Sequence, residues 1–348
     1  MEKGLTLRTY ILKRLVISIF ILWVIATINY VIFRGDPLAV IHEWEWEYID
    51  PGTKEILFES FGANLGTFLR YLWYLRTMFT YGLVRPYFGY SRLAADFIAP
   101  GLSQRLPITL FLMGTAFVGS VVFGILMGML AASRQGSKRD AVITTSSLFT
   151  WATPIFLIQF LAIWILTYLF INYGIYPFSL AAAIDAEEIA HLSGLQLYAT
   201  IAWHMTLPII TLTLAGLGPW VIYTRNMLID TLTQDYIVTA HAKGLSERTI
   251  MFKHAFKSIL PPIATMITLA TPTLIAGSII TETIFGINGI GNYFLRAFMV
   301  EGQIVRVLDP AVVQAVFFIY ATIGVSLNFI ADLMYGVFDP RIRVGTRK

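Results

Sequence analysis

Six long apolar stretches constrain the fold of this chain more than any other feature. They are residues 15–33, 106–133, 142–171, 201–224, 263–281 and 311–335. A helix that crosses a bilayer needs about 20 apolar residues, since the hydrocarbon core is about 30 Å thick and the helix rises about 1.5 Å per residue. The chain is 57% hydrophobic and only 13% charged, a balance that suits lipid rather than water. The sequence therefore predicts an all-α polytopic membrane protein with six transmembrane helices.

The basic residues predict which side of the membrane each connecting segment faces. Short cytoplasmic loops carry an excess of Lys and Arg. Of the 25 basic residues, 16 lie in the two terminal segments and in the second and fourth connections. The short alternate connections hold two, and seven lie in the long segment 34–105, which can translocate regardless of its charge. Both termini are therefore expected on the cytoplasmic side.

This topology divides the chain into three parts. They are a cytoplasmic N-terminus with the first helix (residues 1–33), a long extracytoplasmic segment (34–105), and a five-helix transmembrane core (106–348) that contains a cytoplasmic loop (225–260). The long segment alternates acids with aromatic residues in the run EWEWEY at 43–48. Two interpretations of this run remain open, a docking or gating surface for a partner that delivers substrate, and an aromatic belt at the membrane interface with solvated acids.

The cytoplasmic loop 225–260 has the sequence pattern of two short helices joined at a glycine. Asp235 to Lys243 has helical periodicity, and Gly244 supplies the left-handed residue that commonly ends a helix. Ser246 and Glu247 are suited to cap the next helix, which Pro261 and Pro262 are expected to terminate. From the residues alone, an ordinary cytoplasmic helical loop is an equally good interpretation.

Several kinds of chemistry are excluded by what the sequence lacks. There is no cysteine, no phosphate-binding loop of the form G-x-x-x-x-G-K-[ST], no H-E-x-x-H pair and no G-x-S-x-G element. Ion-coupled carriers usually hold ionisable groups deep in the bundle. Here Glu282 and Asp332 lie toward the ends of predicted spans, where hydration makes a charge tolerable. The pattern favours an energy source outside this chain.

The order of short motifs resembles the permease subunits of the dipeptide, oligopeptide and nickel class of ABC importers, over residues 88–344. The strongest motif is QDYIVTAHAKGLS at 234–246, followed by HA at 254–255 and LPP at 260–262. Supporting motifs are RLPITL at 105–110, LAASRQGS at 130–137 with Asp140, LP at 207–208, and a C-terminal set of Asn328, Asp332, Tyr335 and DPR at 339–341.

The resemblance implies a type I ABC importer transmembrane-domain fold and a non-catalytic subunit of the cytoplasmic membrane. It also implies that the segment 235–246, here called the coupling segment, contacts an ATPase. The residues expected to do so are Asp235, Thr239, Ala240, Ala242, Lys243, Gly244, Leu245 and Ser246. Small side chains at 240, 242 and 244 would let a short helix seat closely in a groove, and Lys243 and Arg248 could reach acidic groups around it.

Partners and cofactors follow from the same resemblance. The expected partners are a second homologous permease, two ABC ATPase subunits, an extracytoplasmic solute-binding protein and membrane lipid, with no nucleic acid. No cofactor is expected in this chain, because ATP and Mg²⁺ would be bound by the ATPase subunits.

Candidates for the solute pathway come from helices that Pro or Gly interrupts, since these can expose backbone polar groups to a water-filled cavity. The candidates are Thr153, Pro154, Thr271, Pro272 and Gly277, with Glu282 as a gate candidate. A kink required only for helix packing is the alternative for each of them. The pair Gly124 and Gly128 is better explained by close helix packing than by a solute site.

The class of solute stays open at this point. The resemblance implies import of di- and oligopeptides first and of oligosaccharides or nickel complexes as alternatives, and the tryptophans would suit sugar stacking. Two other classes of protein are weighed as well, an ion-coupled secondary carrier and a membrane scaffold without transport activity.

Overall fold

The computed structural model describes residues 7–34, 51–52, 55, 64–76, 78–79, 90–91, 96–175, 178–179, 193–297, 299–300, 303–304 and 309–338. Helices dominate these residues. They are α1 (Leu7–Arg34), α2 (Thr67–Arg76), α3 (Ile98–Ala132), α4 (Lys138–Ala152), α5 (Ile155–Tyr173), α6 (Gly194–Leu232), α7 (Asp235–Ala242), α8 (Glu247–Thr249), a π-helix (Ile250–Ala255), α9 (Phe256–Phe285), α10 (Ile290–Arg296) and α11 (Pro310–Phe338). Two antiparallel pairs of two-residue strands accompany them, β1 (Tyr90–Ser91) with β2 (Asp96–Phe97), and β3 (Met299–Val300) with β4 (Gln303–Ile304).

Within the described residues, five helical segments are long and apolar enough to cross a membrane. They are Thr9–Ile32, Ile98–Ala132, Ile155–Tyr173, Gly194–Leu232 and Val312–Ile330. The all-α polytopic fold is therefore confirmed. The predicted fifth span lies inside α9, where the side chains of residues 271–276 are outside the description. The number six stays a prediction.

The predicted third span, residues 142–171, is wrong as a single helix. It is divided into α4 and α5 at Thr153 and Pro154, both of which have extended backbone angles. Proline lacks the N–H that would continue the helix and disfavours helical angles in the residue before it. The segment long enough to cross the membrane is α5 alone.

The chain divides into two compact units. The first unit contains α1, α2, the start of α3, α10 and nearly all of α11. In this unit α1 and α11 are antiparallel, because Tyr10 donates to the Asp332 carbonyl (3.3 Å) while Asn29 donates to the Gln314 carbonyl (3.0 Å). Arg14 also forms an ion pair with the Asp332 carboxylate at 3.3 Å. These contacts place the start of α1 beside the end of α11.

The predicted extracytoplasmic segment 34–105 contains regular structure where it is described. Helix α2 contacts α1 through tyrosine rings, with Tyr30 5.2 Å from Tyr71 and 5.3 Å from Tyr74 between centroids. Helix α3 begins at Ile98, eight residues before the predicted span. The acidic and aromatic run at 43–48 lies outside the described residues.

The second unit comprises residues 110–287 together with 337–339, and glycines allow its helices to approach closely. A Cβ at Gly124 would overlap Trp220, and one at Gly128 would lie 2.7 Å from the Thr224 Cβ. The prediction that these two glycines serve the packing of α3 is confirmed. Gly218 is equally restricted, since a Cβ there would overlap the Ser147 carbonyl of α4.

Pro261 and Pro262 do not terminate a helix, contrary to the prediction. They are the sixth and seventh residues of α9, which continues to Phe285. Both prolines are exposed, and so are Lys257 and Ser258, whose carbonyl groups lose their donors.

Candidate functional site

The coupling segment begins with α7, a short helix held by one buried face. Ile237 is fully buried, and Ala240 one turn later is nearly so. They belong to a buried cluster with Leu228 of α6, Ile250 of the π-helix and Ile259 of α9. Helix α7 is therefore packed against two of the longest helices of its unit.

Gly244 ends α7 in a left-handed conformation with φ +73°. The Leu245 N–H donates to the Ala240 carbonyl (3.3 Å) and the Gly244 N–H donates to the His241 carbonyl (2.9 Å). This pair of hydrogen bonds is the Schellman motif, which satisfies the last carbonyl groups of a helix. The predicted turn at Gly244 is confirmed.

Ser246 caps the helical stretch that follows. Its Oγ accepts a hydrogen bond from the Thr249 N–H at 3.3 Å, as predicted from the sequence. His241 and Glu247 form an ion pair at 3.4 Å across the turn when the imidazole is protonated. The Tyr236 hydroxyl donates to Ser258 at 2.9 Å, so both ends of α7 are tied to the stretch after the turn.

Most of the predicted coupling residues lie on the exposed side of this segment. The exposed members are Asp235, Thr239, Ala242, Lys243, Gly244, Leu245 and Ser246. Ala240 is the exception, because its side chain packs into the chain's own core. Tyr236 and Val238 were not predicted, yet their side chains are 45% and 60% exposed. Because sequence neighbours on a helix point in different directions, the burial of Ile237 could have indicated that Tyr236 and Val238 are exposed.

A buried ion pair connects the start of α4 with α6 close to this segment in sequence. Arg225 donates to Asp140 through Nε (2.5 Å) and Nη2 (2.7 Å), and Asp140 also accepts from the Gly136 N–H (2.9 Å) and the Thr144 hydroxyl (3.2 Å). The Arg225 guanidinium, more than the opposing effect of burial, holds the pKa of Asp140 well below its usual range. The pair was not predicted, although both residues flank apolar stretches on the same expected side.

The break between α4 and α5 opens onto a cavity of about 660 Å³, here called the Pro154 cavity. Its walls come from α3, from the break itself, and from α6 and α9. Behind the wall, Gln159 donates to the Thr281 hydroxyl (2.6 Å), which donates in turn to the Gly277 carbonyl (2.8 Å). This chain of hydrogen bonds ties α5 to α9 next to the cavity.

The structure brings three of the predicted pathway residues together and separates a fourth. Thr153, Pro154 and Gly277 line the Pro154 cavity. Glu282 does not line it and is fully buried, so the expectation of a hydrated carboxylate near a helix end is wrong. Glu282 lies in the last turn of α9, which ends at Phe285, so a position near a helix end did not bring hydration with it. Thr271 and Pro272 lie in α9, but their side chains are outside the described residues.

The aromatic residues of the cavity were missed by the sequence analysis. Trp151, Trp220 and Tyr223 line it together with Phe117. Trp151 immediately precedes Ala152 and the Thr153–Pro154 break, and that proximity was the available signal. In the part of the chain that the structure describes, no cluster of three side chains has the composition of a metal site.

Comparison with known proteins defines the class to which this fold and these sites belong. Residues 124–344 match the family described as the binding-protein-dependent transport system inner membrane component, and the chain belongs to this family. It is a multi-pass protein of the inner membrane and a permease component of a transport system.

Individual relatives match along nearly the whole chain. The oligopeptide transport system permease protein AppB of Bacillus subtilis is 32% identical over 96% of this chain and 98% of its own length. The dipeptide transport system permease protein DppB of Escherichia coli is 30% identical over 96% and 98%. The DppB protein of Lactococcus lactis is 28% identical over 96% and 99%.

Proposed function

We propose that this chain is one permease subunit of an ATP-driven importer of di- and oligopeptides, in which the coupling segment docks on a partner ATPase. The observation that carries the proposal is the geometry of that segment. A short helix presents small, polar and apolar side chains outward, while its opposite face is built into the core beside α6 and α9. A surface that is both exposed and rigidly attached to long helices is suited to transmit movement.

The mechanism follows from this attachment. When ATP closes a pair of ATPase subunits, a helix seated on them moves with them, and the buried contacts of Ile237 carry the movement into the bundle. The bundle would then exchange an inward-open for an outward-open state by rigid-body motion. ATP and Mg²⁺ would be held by the partner. The residues of this chain would contact the ATPase and transmit its movement to the transmembrane helices.

The remaining partners are a second homologous permease and an extracytoplasmic solute-binding protein. Binding-protein dependence is part of the family description, which supports the latter. The antiparallel contact of α1 with α11 supports termini on one side, and the distribution of basic residues favours the cytoplasmic side.

Peptides are the preferred solutes because the relatives are named for oligopeptide and dipeptide transport. The alternatives are oligosaccharides and nickel complexes. Uptake into proteoliposomes tests the proposal, with this chain purified together with its neighbouring permease, ATPase and binding-protein gene products. Panels of peptides and oligosaccharides are offered in parallel, with and without ATP.

Peptide uptake that requires both ATP and the binding protein is expected. Uptake by this chain alone without ATP would contradict the proposal. Uptake restricted to the oligosaccharide panel would retain the importer and replace its solute.

One observation favours a second candidate, an ion-coupled carrier. Glu282 is fully buried in α9, and a buried carboxylate in a membrane protein often marks an ion pathway. In that case, Glu282→Gln would abolish uptake driven by a proton gradient in liposomes that contain no ATP. In an ATP-driven importer, no such gradient-driven uptake is expected from the unsubstituted chain.

A further inference from the structure

Among the residues that the structure describes, the lining of the Pro154 cavity carries no charged side chain. Among the residues that form it, four are aromatic, namely Phe117, Trp151, Trp220 and Tyr223, and most of the others are aliphatic. The volume of about 660 Å³ is within the range of pockets that hold small organic molecules. The cavity therefore offers apolar contact and has ample room for a large amino-acid side chain.

The hydroxyl groups of the lining are largely committed to the protein itself. The Ser120 hydroxyl donates to the carbonyl groups of Ala116 (2.9 Å) and Thr213 (3.0 Å). The Thr153 hydroxyl donates to the Phe149 carbonyl at 2.7 Å. Among the lining side chains, this leaves the Tyr223 hydroxyl and the indole N–H groups of Trp151 and Trp220 as donors for a ligand.

Aromatic side chains are accessible at the rim while the inner wall is closed. Trp151 and Tyr223 are each nearly half exposed, with ring centroids 6.4 Å apart, whereas Trp220 is almost completely buried. Gly216 and Gly277 allow close packing within the walls, because a Cβ at Gly216 would lie 2.8 Å from the Ser120 hydroxyl and one at Gly277 would lie 3.3 Å from Leu212. Trp151 and Tyr223 together therefore present an aromatic surface to an apolar group, and Trp220 forms part of the closed wall.

We infer that the Pro154 cavity is a subsite for an uncharged apolar or aromatic side chain of the transported peptide. The inference rests on the proposed function and specifies its substrate class. A sugar would lose the hydration of many hydroxyl groups and find few partners in this lining, and a charged side chain would find no opposite charge. An apolar side chain gives up no comparable hydration and gains contact with aromatic rings.

The test measures the ratio of uptake for two peptides that the same binding protein delivers. Proteoliposomes of the full transporter receive radiolabelled Phe-Phe and Ala-Ala, and the ratio of initial rates is compared among variants. Gly277→Leu reduces the cavity, and Trp151→Ala removes one of the exposed rings. Each variant is expected to lower the Phe-Phe to Ala-Ala ratio at least tenfold.

Gly114→Leu is the matched control, because no atom lies within 4 Å of a Cβ at this position of α3 and the residue does not line the cavity. It should leave the ratio unchanged. A ratio that stays constant in both cavity variants, or that falls equally in the control, would overturn the subsite while leaving the importer in place. ATP-dependent uptake of an oligosaccharide by the unsubstituted transporter would also overturn it. A complete absence of ATP-dependent peptide uptake would instead overturn the proposed function, and the subsite with it.

Discussion

At the scale of single residues, Gly244 determines the shape of the coupling segment. Its φ of +73° is left-handed, and no atom lies within 4 Å of a Cβ built on it. Within this chain a side chain there would meet open space, so a substitution strains the backbone by on the order of 1 kcal/mol or more for a β-branched residue. It also adds bulk to the surface that is proposed to dock on the ATPase. The position of Leu245 and Ser246 after the turn depends on this one residue.

Gly244→Val is therefore expected to leave membrane insertion intact while it uncouples ATP hydrolysis from uptake. Peptide uptake per ATP hydrolysed should fall about tenfold, a change equivalent to roughly 1.4 kcal/mol. Gly174→Val is the control, because Gly174 ends α5 with φ +65° and also has open space around it. Coupling that stays normal in Gly244→Val would contradict the role given to the coupling segment.

Asp140 is a second residue with a testable role. Its carboxylate binds Arg225 through two hydrogen bonds and is almost completely buried, so removing its charge leaves the guanidinium without its partner. Asp140→Asn is expected to destabilise the purified protein by on the order of 3 kcal/mol near pH 7, as in other buried pairs. Thermal unfolding in detergent measures this, with exposed Asp230→Asn as the control that should unfold like the unsubstituted protein.

The pH dependence of this effect has a definite sign. The pKa of Asp140 is lowered in the folded state, so the stabilisation is complete above the unfolded value of about 3.9 and is lost as the pH falls through the lowered folded value. The difference between Asp140→Asn and the unsubstituted protein should therefore be constant between pH 5 and 8. A difference that disappears within this range would show that another group is responsible.

Local chemistry explains which residue roles could be predicted. The turn at Gly244 and the cap at Ser246 depend on neighbours within a few positions, and both predictions are confirmed. Burial depends on distant parts of the chain, and the expectation of a hydrated Glu282 was wrong. Ala240 packs against residues at least ten positions away in the sequence, such as Leu228 and Ile250, and the identity of these neighbours could not be predicted from the local pattern.

At the scale of helices, one proline interrupts a helix and others do not. Pro154 separates α4 from α5, whereas Pro107 lies inside α3, and Pro208 and Pro219 lie inside α6. All of them remove a backbone donor, so the proline itself does not determine the outcome. At Pro154 the preceding Thr153 adopts ψ 126°, and its hydroxyl and N–H both donate to the Phe149 carbonyl. That local cap stabilises the end of α4.

Pro154→Ala is expected to extend α4 into α5 and to lower peptide uptake. The chain contains no cysteine, so spin labels can be attached at Val142→Cys and Ile165→Cys, both exposed positions. A continuous helix would separate these positions by about 34 Å, and the distance in the native chain should be shorter. Pro107→Ala, at an exposed proline inside a continuous helix, should change neither quantity. A native distance already near that of a continuous helix would contradict the break.

At the scale of the whole molecule, hydrophobicity predicted the class of fold, and the positions of the helices largely followed. The first, second, fourth and sixth predicted spans lie inside α1, α6 and α11 or overlap α3 closely. Helix ends were less predictable, since α3 and α6 extend up to eight residues beyond the apolar stretches. A helix can continue past the hydrocarbon core wherever its backbone remains hydrogen bonded, and the hydropathy of the sequence does not indicate where it ends.

The orientation of the chain in the membrane is the remaining prediction at this scale. The excess of basic residues predicts that the N-terminus, the connection before α4, the coupling segment and the C-terminus lie in the cytoplasm. The ion pair of Arg14 with Asp332 independently requires the start of α1 and the end of α11 to share a side. Both arguments require that the chain cross the membrane an even number of times between α1 and α11.

Single cysteines introduced into this cysteine-free chain test the orientation directly. Lys138→Cys, Lys243→Cys and Lys348→Cys are expected to react with a membrane-impermeant maleimide only in inside-out vesicles, and Ser193→Cys only in right-side-out vesicles. Labelling of positions 138 and 193 from the same side would show that α5 does not cross the membrane. Labelling of 243 and 348 from opposite sides would leave α9 and α11 with only one crossing between them, and the proposed six-span topology could not be retained.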